Sequence, residues 1–234
     1  MRAAVAFLTA VGGSRRPGPR TFDWFGLVGA GIGAILGLIW WSAERAWTPG
    51  LAAALVVVAD LAITGMLHFD GLLDSADGLL AQMNRDRRLA VMSSPETGAF
   101  AVGAGGAVLL LRWAALSAVR PTVLLPASLW CLSRTGMATA ARYLPYARQE
   151  GGLASAFTGR PRAWTAAVGV ALSLGLALAW RPLAGSVAVA AAVLTGGGVL
   201  WLAVRRIGGY TGDVLGAFGM VAETAGLVVA AAKW

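Results

Sequence analysis

Residues 163–204 read AWTAAVGVALSLGLALAWRPLAGSVAVAAAVLTGGGVLWLAV, and Arg181 is the one ionisable side chain among them. A helix needs about 20 consecutive apolar residues to cross the ~30 Å hydrocarbon core of a bilayer. The stretch therefore reads as two spans, at about 163–180 and 183–203, with Arg181 between them. Five more stretches of the same character lie outward from it, at about 24–43, 51–69, 97–118, 122–144 and 213–232. The expected fold is all-α: a polytopic integral membrane helix bundle of about seven transmembrane helices, forming a single integral membrane domain over residues 1–234.

Composition points the same way. Of the 234 residues 58% are apolar and 13% charged, with a mean hydropathy of +0.71, whereas a soluble domain has roughly 45–50% and about 25%. An ordinary soluble domain and a disordered chain are both excluded. The net charge of +8 comes from 19 basic residues, 18 of them Arg, and they fall between apolar stretches instead of forming a basic face. That is a membrane-topology signal, and no nucleic-acid partner is expected. Cys131 is the single cysteine and lies in an apolar stretch, so neither a disulfide framework nor a paired-cysteine metal site is expected. The apolar run within residues 1–20 is too short to span and reads as an interfacial segment. In the first span, Gly26, Gly29, Gly31, Gly33 and Gly37 form a small-residue stripe suited to close helix packing.

Cytoplasmic loops carry the excess of Lys and Arg. Arg2, Arg15, Arg16, Arg20, Arg85, Arg87, Arg88, Arg142, Arg148, Arg160, Arg162, Arg205 and Arg206 fall on one set of alternate connections, and Arg45, Arg120, Arg181 and Lys233 on the other. This places the N-terminus in the cytoplasm and the C-terminus outside. The acidic and Arg-rich segment 69–96 and the 145–162 and 205–213 loops then share the cytoplasmic face.

Segment 69–96 carries the chemistry. His68-Phe69-Asp70-Gly71-Leu72-Leu73-Asp74-Ser75-Ala76-Asp77-Gly78 puts Asp70, Asp74 and Asp77 within about 60° of one another on a helix. Like charges at these spacings oppose a helix unless a cation sits among them. Mg²⁺ favours oxygen ligands and often shares them with substrate phosphates, so the three are candidate catalytic and metal-binding carboxylates. Gly71 and Gly78 would let a bulky substrate or another helix approach. On an unbroken helix His68 points away from Asp70 and Asp77, which leaves it a capping, supporting or catalytic role. Arg85, Arg87 and Arg88 follow, with guanidinium forks suited to phosphate oxygens. Asp60, Arg134 and Glu223 each lie roughly 15 Å deep, about ten residues from a cytoplasmic end, and Asp60 would share a face with the three aspartates. Buried charges of this kind are functional candidates. Arg134 is expected to pair with Asp60 or Glu223 beneath the site and is also a candidate substrate contact. Arg112 is expected to extend outward along its span.

The signature from His68 to Gly78 resembles that of the cobalamin synthase (adenosylcobinamide-GDP ribazoletransferase) family. The resemblance extends to Phe25-Gly26-Leu27-Val28-Gly29, Asp86-Arg87-Arg88-Leu89-Ala90-Val91-Met92 with Gly98, and Leu132-Ser133-Arg134. It continues through Leu144-Pro145-Tyr146-Ala147-Arg148 with Glu150-Gly151-Gly152-Leu153, and through Gly208-Gly209-Tyr210-Thr211-Gly212-Asp213-Val214-Leu215-Gly216-Ala217. It implies an inner-membrane transferase, active at the cytoplasmic face, that joins adenosylcobinamide-GDP to α-ribazole or its 5′-phosphate and releases GMP with Mg²⁺ present. By the same resemblance Asp213 joins Asp70, Asp74 and Asp77 as a metal ligand. Arg85, Arg87, Arg88, Arg142 and Arg148 become candidates for the substrate phosphates, and one of the three aspartates or His68 takes the ribazole hydroxyl proton. Both a homo-oligomer and a complex with other nucleotide-loop enzymes are open to it. The chain departs from the family pattern at Met220, where an acid is usual, and at Ser93-Ser94-Pro95-Glu96-Thr97. A CDP-alcohol phosphatidyltransferase is the nearest rival, but Asp77-Gly78 is followed by Leu79-Leu80-Ala81-Gln82 and not by that pattern. A transporter using Asp60, Arg134 and Glu223 as an ion relay lacks the internal repeat such proteins often show.

Overall fold

The computed structural model describes residues 1–11, 13, 18, 20–148 and 162–234, and within them the chain is helical. Arg15, Arg16, Arg160 and the Glu150–Leu153 motif lie outside the described residues. The helices are α1 (Arg2–Leu8), α2 (Phe25–Ala43, preceded by a 3₁₀ turn, Phe22–Trp24), α3 (Pro49–Ile63), α4 (Leu67–Leu80) and α5 (Arg85–Val91). They continue as α6 (Ala99–Ala118), α7 (Leu124–Tyr143), α8 (Ala163–Trp180), α9 (Pro182–Ile207) and α10 (Gly212–Ala230). Among the described residues five stretches are long and apolar enough to cross a bilayer: Phe22–Ala43, α6, α8, α9 and α10. The protein is a polytopic helical membrane bundle.

Two of the seven expected spans differ from simple crossings. The stretch 51–69 is broken: α3 and α4 meet at 89°. Gly65 takes the left-handed conformation at φ 57°, its N–H reaches Ala62 O at 3.2 Å, and Met66 N–H reaches Leu61 O at 2.8 Å. This is the pair of bonds that closes a helix in a Schellman turn. Met66 is also left-handed, at φ 58°, a costly conformation for a side chain of its size, and it opens α4. The expected common face of Asp60 with Asp70, Asp74 and Asp77 therefore does not exist. The stretch 122–144 forms α7, as long as the others but less apolar. It is buried continuously from Leu125 to Thr135, so the bundle itself solvates its polar residues.

The glycine stripe of α2 does what small residues do in membranes. A Cβ added at Gly26, Gly29 or Gly33 would strike α7 at Thr135, Trp130 or Pro126, and one at Gly37 would strike Val123 just before it, while Gly31 faces open space. On the other side α10 packs against α9 and α4. Because α4 turns at Gly65, it lies across the bundle where α6 and α10 begin: its Phe69 and Leu73 meet Gly105, and its Gly71 meets Asp213. The acidic signature thus runs beside α6 and the first turn of α10.

Candidate active site

The site is assembled where α4 crosses the first turn of α10. Gly71 and Gly216 make that crossing close: a Cβ at Gly71 would lie 2.8 Å from Asp213 O, and one at Gly216 3.0 Å from His68 O. Thr211 caps α10 by accepting from Val214 N–H at 3.2 Å, and its Oγ1 lies 3.2 Å from Asp213 Oδ2. The Thr-Gly-Asp motif therefore starts a helix directly beside the acidic face of α4. Asp70 is exposed, Asp74 and Asp213 half-buried. Burial first, then the charges of Asp70 and Asp213, push the Asp74 carboxyl up to about 7 against the opposing effect of Arg148. Arg148 donates to Asp213 Oδ2 at 2.8 Å and to Met92 O at 3.2 Å. Three carboxylates and one guanidinium share this patch. Their mutual repulsion fits a divalent cation, though among the described residues no three acidic, His or Cys side chains converge closely enough to hold one as they stand.

The other expected site residues are placed differently. Asp77 is buried, and its carboxylate accepts from Gly98 N–H at 2.6 Å and Ala101 N–H at 3.0 Å, capping α6. Gly78 packs on Met92 and Arg88, and Gly71 on Asp213, so both admit a helix and not a substrate. Arg88 is buried, with Nη1 donating to Gly78 O at 2.7 Å and Leu79 O at 3.1 Å, which closes the end of α4. Arg85 donates to Ile207 O at 2.9 Å and Ala147 O at 2.7 Å, tying α5 to the end of α9. Arg87 is exposed at the start of α5, where Asn84 caps its N–H. Arg142 lies in a separate narrow crevice with Asp23 and Arg162. Of the expected arginines, Arg148 is bonded to a carboxylate of the cluster.

Beneath the site lies a closed charge network. Arg112, expected to extend outward, is instead at its centre: it donates to Asp60 Oδ2 and Glu223 Oε2, each at 2.6 Å, to Thr224 Oγ1 at 2.8 Å and to Met220 O at 3.1 Å. Arg134 pairs with Glu223, as one of its two expected partners, and is too deeply buried to meet substrate. Trp130 Nε1 donates to Asp60 Oδ1 at 3.0 Å and Ser133 Oγ to Glu223 Oε1 at 2.6 Å. Two cations meet two anions, so the network is neutral. At Met220 the backbone carbonyl faces Arg112, so the missing family acid is not needed to satisfy it.

A cavity of about 230 Å³ opens beside the carboxylates. Its lining includes Asp70, Asp213 and Arg148, the aromatic Phe7, Phe22 and Phe25, Met137 and Leu215, and His68 and Tyr146. Sequence reasoning found His68 but not this cavity, whose walls come from α1, α2, α4, α7 and α10.

Fold and site together define a class: a polytopic helical membrane protein that gathers carboxylates and a guanidinium at the ends of its spans. The family model described as cobalamin-5-phosphate synthase matches residues 1–231. The chain is similar to the adenosylcobinamide-GDP ribazoletransferase of Chlorobaculum parvum, 38% identical over 213 residues that cover 89% of this chain and 84% of the relative. The enzyme of the same name from Pseudomonas aeruginosa is 36% identical over 240 residues, covering 97% and 96%, and that from Bradyrhizobium diazoefficiens is 39% identical over 195, covering 82% and 74%. No solved structure matches significantly. The chain belongs to the cobalamin-5-phosphate synthase family and is a transferase of cobalamin synthesis.

Proposed function

We propose that the protein joins adenosylcobinamide-GDP to α-ribazole or its 5′-phosphate at the cytoplasmic face of the inner membrane, releasing GMP. A ribazole hydroxyl oxygen forms a new bond to the phosphorus attached to cobinamide. The bond from that phosphorus to the bridging oxygen breaks, GMP leaves with that oxygen, and the hydroxyl proton passes to a carboxylate of the cluster. The observation that carries this reading is the meeting of Asp70 and Asp74 with Asp213, brought from the far end of the chain by the Gly71–Gly216 crossing. Asp70, Asp74 and Asp213 would hold Mg²⁺, which when bound neutralises charge on the pyrophosphate. Arg148 stands at the same edge to meet a phosphate oxygen. Asp77 and Arg88 act through position: both hold the C-terminal end of the acidic helix, Asp77 against the start of α6 and Arg88 through the Gly78 and Leu79 carbonyls.

The test is direct. Purified protein in liposomes, given Mg²⁺, adenosylcobinamide-GDP and α-ribazole phosphate, is expected to release one GMP per corrinoid joined. Turnover of neither substrate with any divalent metal would overturn the reading.

A further inference from the structure

His68 is 4% exposed, and its Nδ1 is buried without a hydrogen-bond partner. An unpaired buried polar atom costs free energy comparable to a lost hydrogen bond, so such atoms are rare and call for a ligand or a function. His68 lines the cavity beside the carboxylates, and Phe7, Phe22, Phe25 and Tyr146 line it too. The Phe7 and Phe25 rings lie 5.9 Å apart at 22°, and Phe22 packs on Phe25 at 4.8 Å. Aromatic walls with one unpartnered nitrogen among them match a flat, mostly apolar ring system carrying one hydrogen-bonding atom. Size agrees: a cavity of about 150 Å³ takes a benzene, and this one measures about 230 Å³, room for a fused bicyclic ring but far too little for a corrinoid.

We infer that this cavity is the subsite for the planar heterocycle of the nucleoside substrate, with His68 Nδ1 bonded to the free ring nitrogen of its benzazole base. The inference rests on the ribazole reading above and adds where the base sits and what selects it. Seated there, the base brings its ribose within the same lining as Asp70 and Asp213. The rival occupant is the guanine of the other substrate. Guanine carries an amide N–H, an amino group and a carbonyl, all needing partners once buried, whereas one atom of the lining, His68 Nδ1, is buried without a partner and does not already serve Asp213 as Arg148 does. A benzazole base asks for one.

The experiment measures equilibrium binding to the full-length protein in nanodiscs without Mg²⁺ or corrinoid, so that it is independent of turnover. The probes are α-ribazole, its indole analogue in which the free ring nitrogen is C–H, and guanosine. Expected are binding of α-ribazole, at least about tenfold weaker binding of the indole analogue, and no competition by guanosine. Leu67→Trp, which fills the cavity, is expected to raise the KM for α-ribazole at least about tenfold while leaving the KM for adenosylcobinamide-GDP within about twofold. His68→Leu is expected to erase the preference for α-ribazole over the indole analogue, and His68→Gln to restore part of it. Equal affinity for the two nucleosides in the unaltered protein, or displacement by guanosine, overturns the inference even if GMP is released. Binding of α-ribazole with this selectivity but without GMP release leaves the subsite standing and removes the proposed reaction.

Discussion

Arg112→Met removes the hub of the buried network, and its cost can be worked through bond by bond. Four hydrogen bonds are lost, to Asp60, Glu223, Thr224 and the Met220 carbonyl. Glu223 keeps Arg134 and Ser133, but Asp60 is left with the indole N–H of Trp130 alone at 4% exposure. Removing one partner of a buried ion pair costs about 3–5 kcal/mol. A bound from another direction agrees: protonating an ordinary carboxyl at pH 7, some three units above its pKa, costs about 4 kcal/mol. Against total stabilities of about 5–15 kcal/mol, this is a fall in melting temperature of about 6–20 °C. Cys131, the only cysteine and fully buried, supplies the assay, since its thiol reacts with a maleimide fluorophore only as the bundle opens. Adding Asp60→Asn is expected to recover more than half the loss by removing the stranded charge. Adding Glu223→Gln should recover none, because Asp60 stays stranded and Arg134 loses its partner as well. A loss below about 1 kcal/mol for Arg112→Met, or equal rescue by both second substitutions, would refute the network as described.

Asp74 sets a pH dependence. Its carboxyl sits near 7, so below that value it is protonated and a poor ligand. The Mg²⁺ concentration for half-maximal rate should fall by up to about tenfold per pH unit from pH 5.5 to 7 and level off above 8; a flat profile removes Asp74 from the metal. Asp77→Ala deprives α6 of its cap at Gly98 and Ala101 and is expected to cost about 0.5–2 kcal/mol in the same thiol assay, while Asp77→Asn, which keeps one acceptor oxygen, costs less. Gly71→Ala forces a methyl against the Asp213 backbone, with about 1–3 kcal/mol of overpacking and lower turnover; Gly31→Ala, which meets open space, should leave both unchanged.

How much of this was legible in the sequence depended on range. The apolar runs and the glycine stripe of α2 are local patterns, and the bundle follows them. The Thr64-Gly65 break is also local, but hydropathy averages across it, and 51–69 reads as one span until the left-handed turn is seen. That turn decides which residues share a face, so the grouping of Asp60 with the signature aspartates fell with it. Arg88 sits in a run that reads as phosphate-binding, and its inward placement follows only from where α4 ends. The depth of Arg112 along α6 was readable, but its partners come from α3 and α10, more than 50 and 100 residues away. Asp213 entered through family resemblance alone, because nothing local to Thr211-Gly212-Asp213 says that Gly71 lies against it.

The most direct measurement is the rate of GMP release by Asp74→Asn beside the unaltered protein, at saturating Mg²⁺ and both substrates, with the Cys131 melting curve showing that the variant is folded. Asn keeps the size and one acceptor oxygen but not the charge. If the carboxylate cluster carries the chemistry, the rate falls at least about a hundredfold with the fold intact. A folded Asp74→Asn protein releasing GMP within about tenfold of the unaltered rate would contradict it.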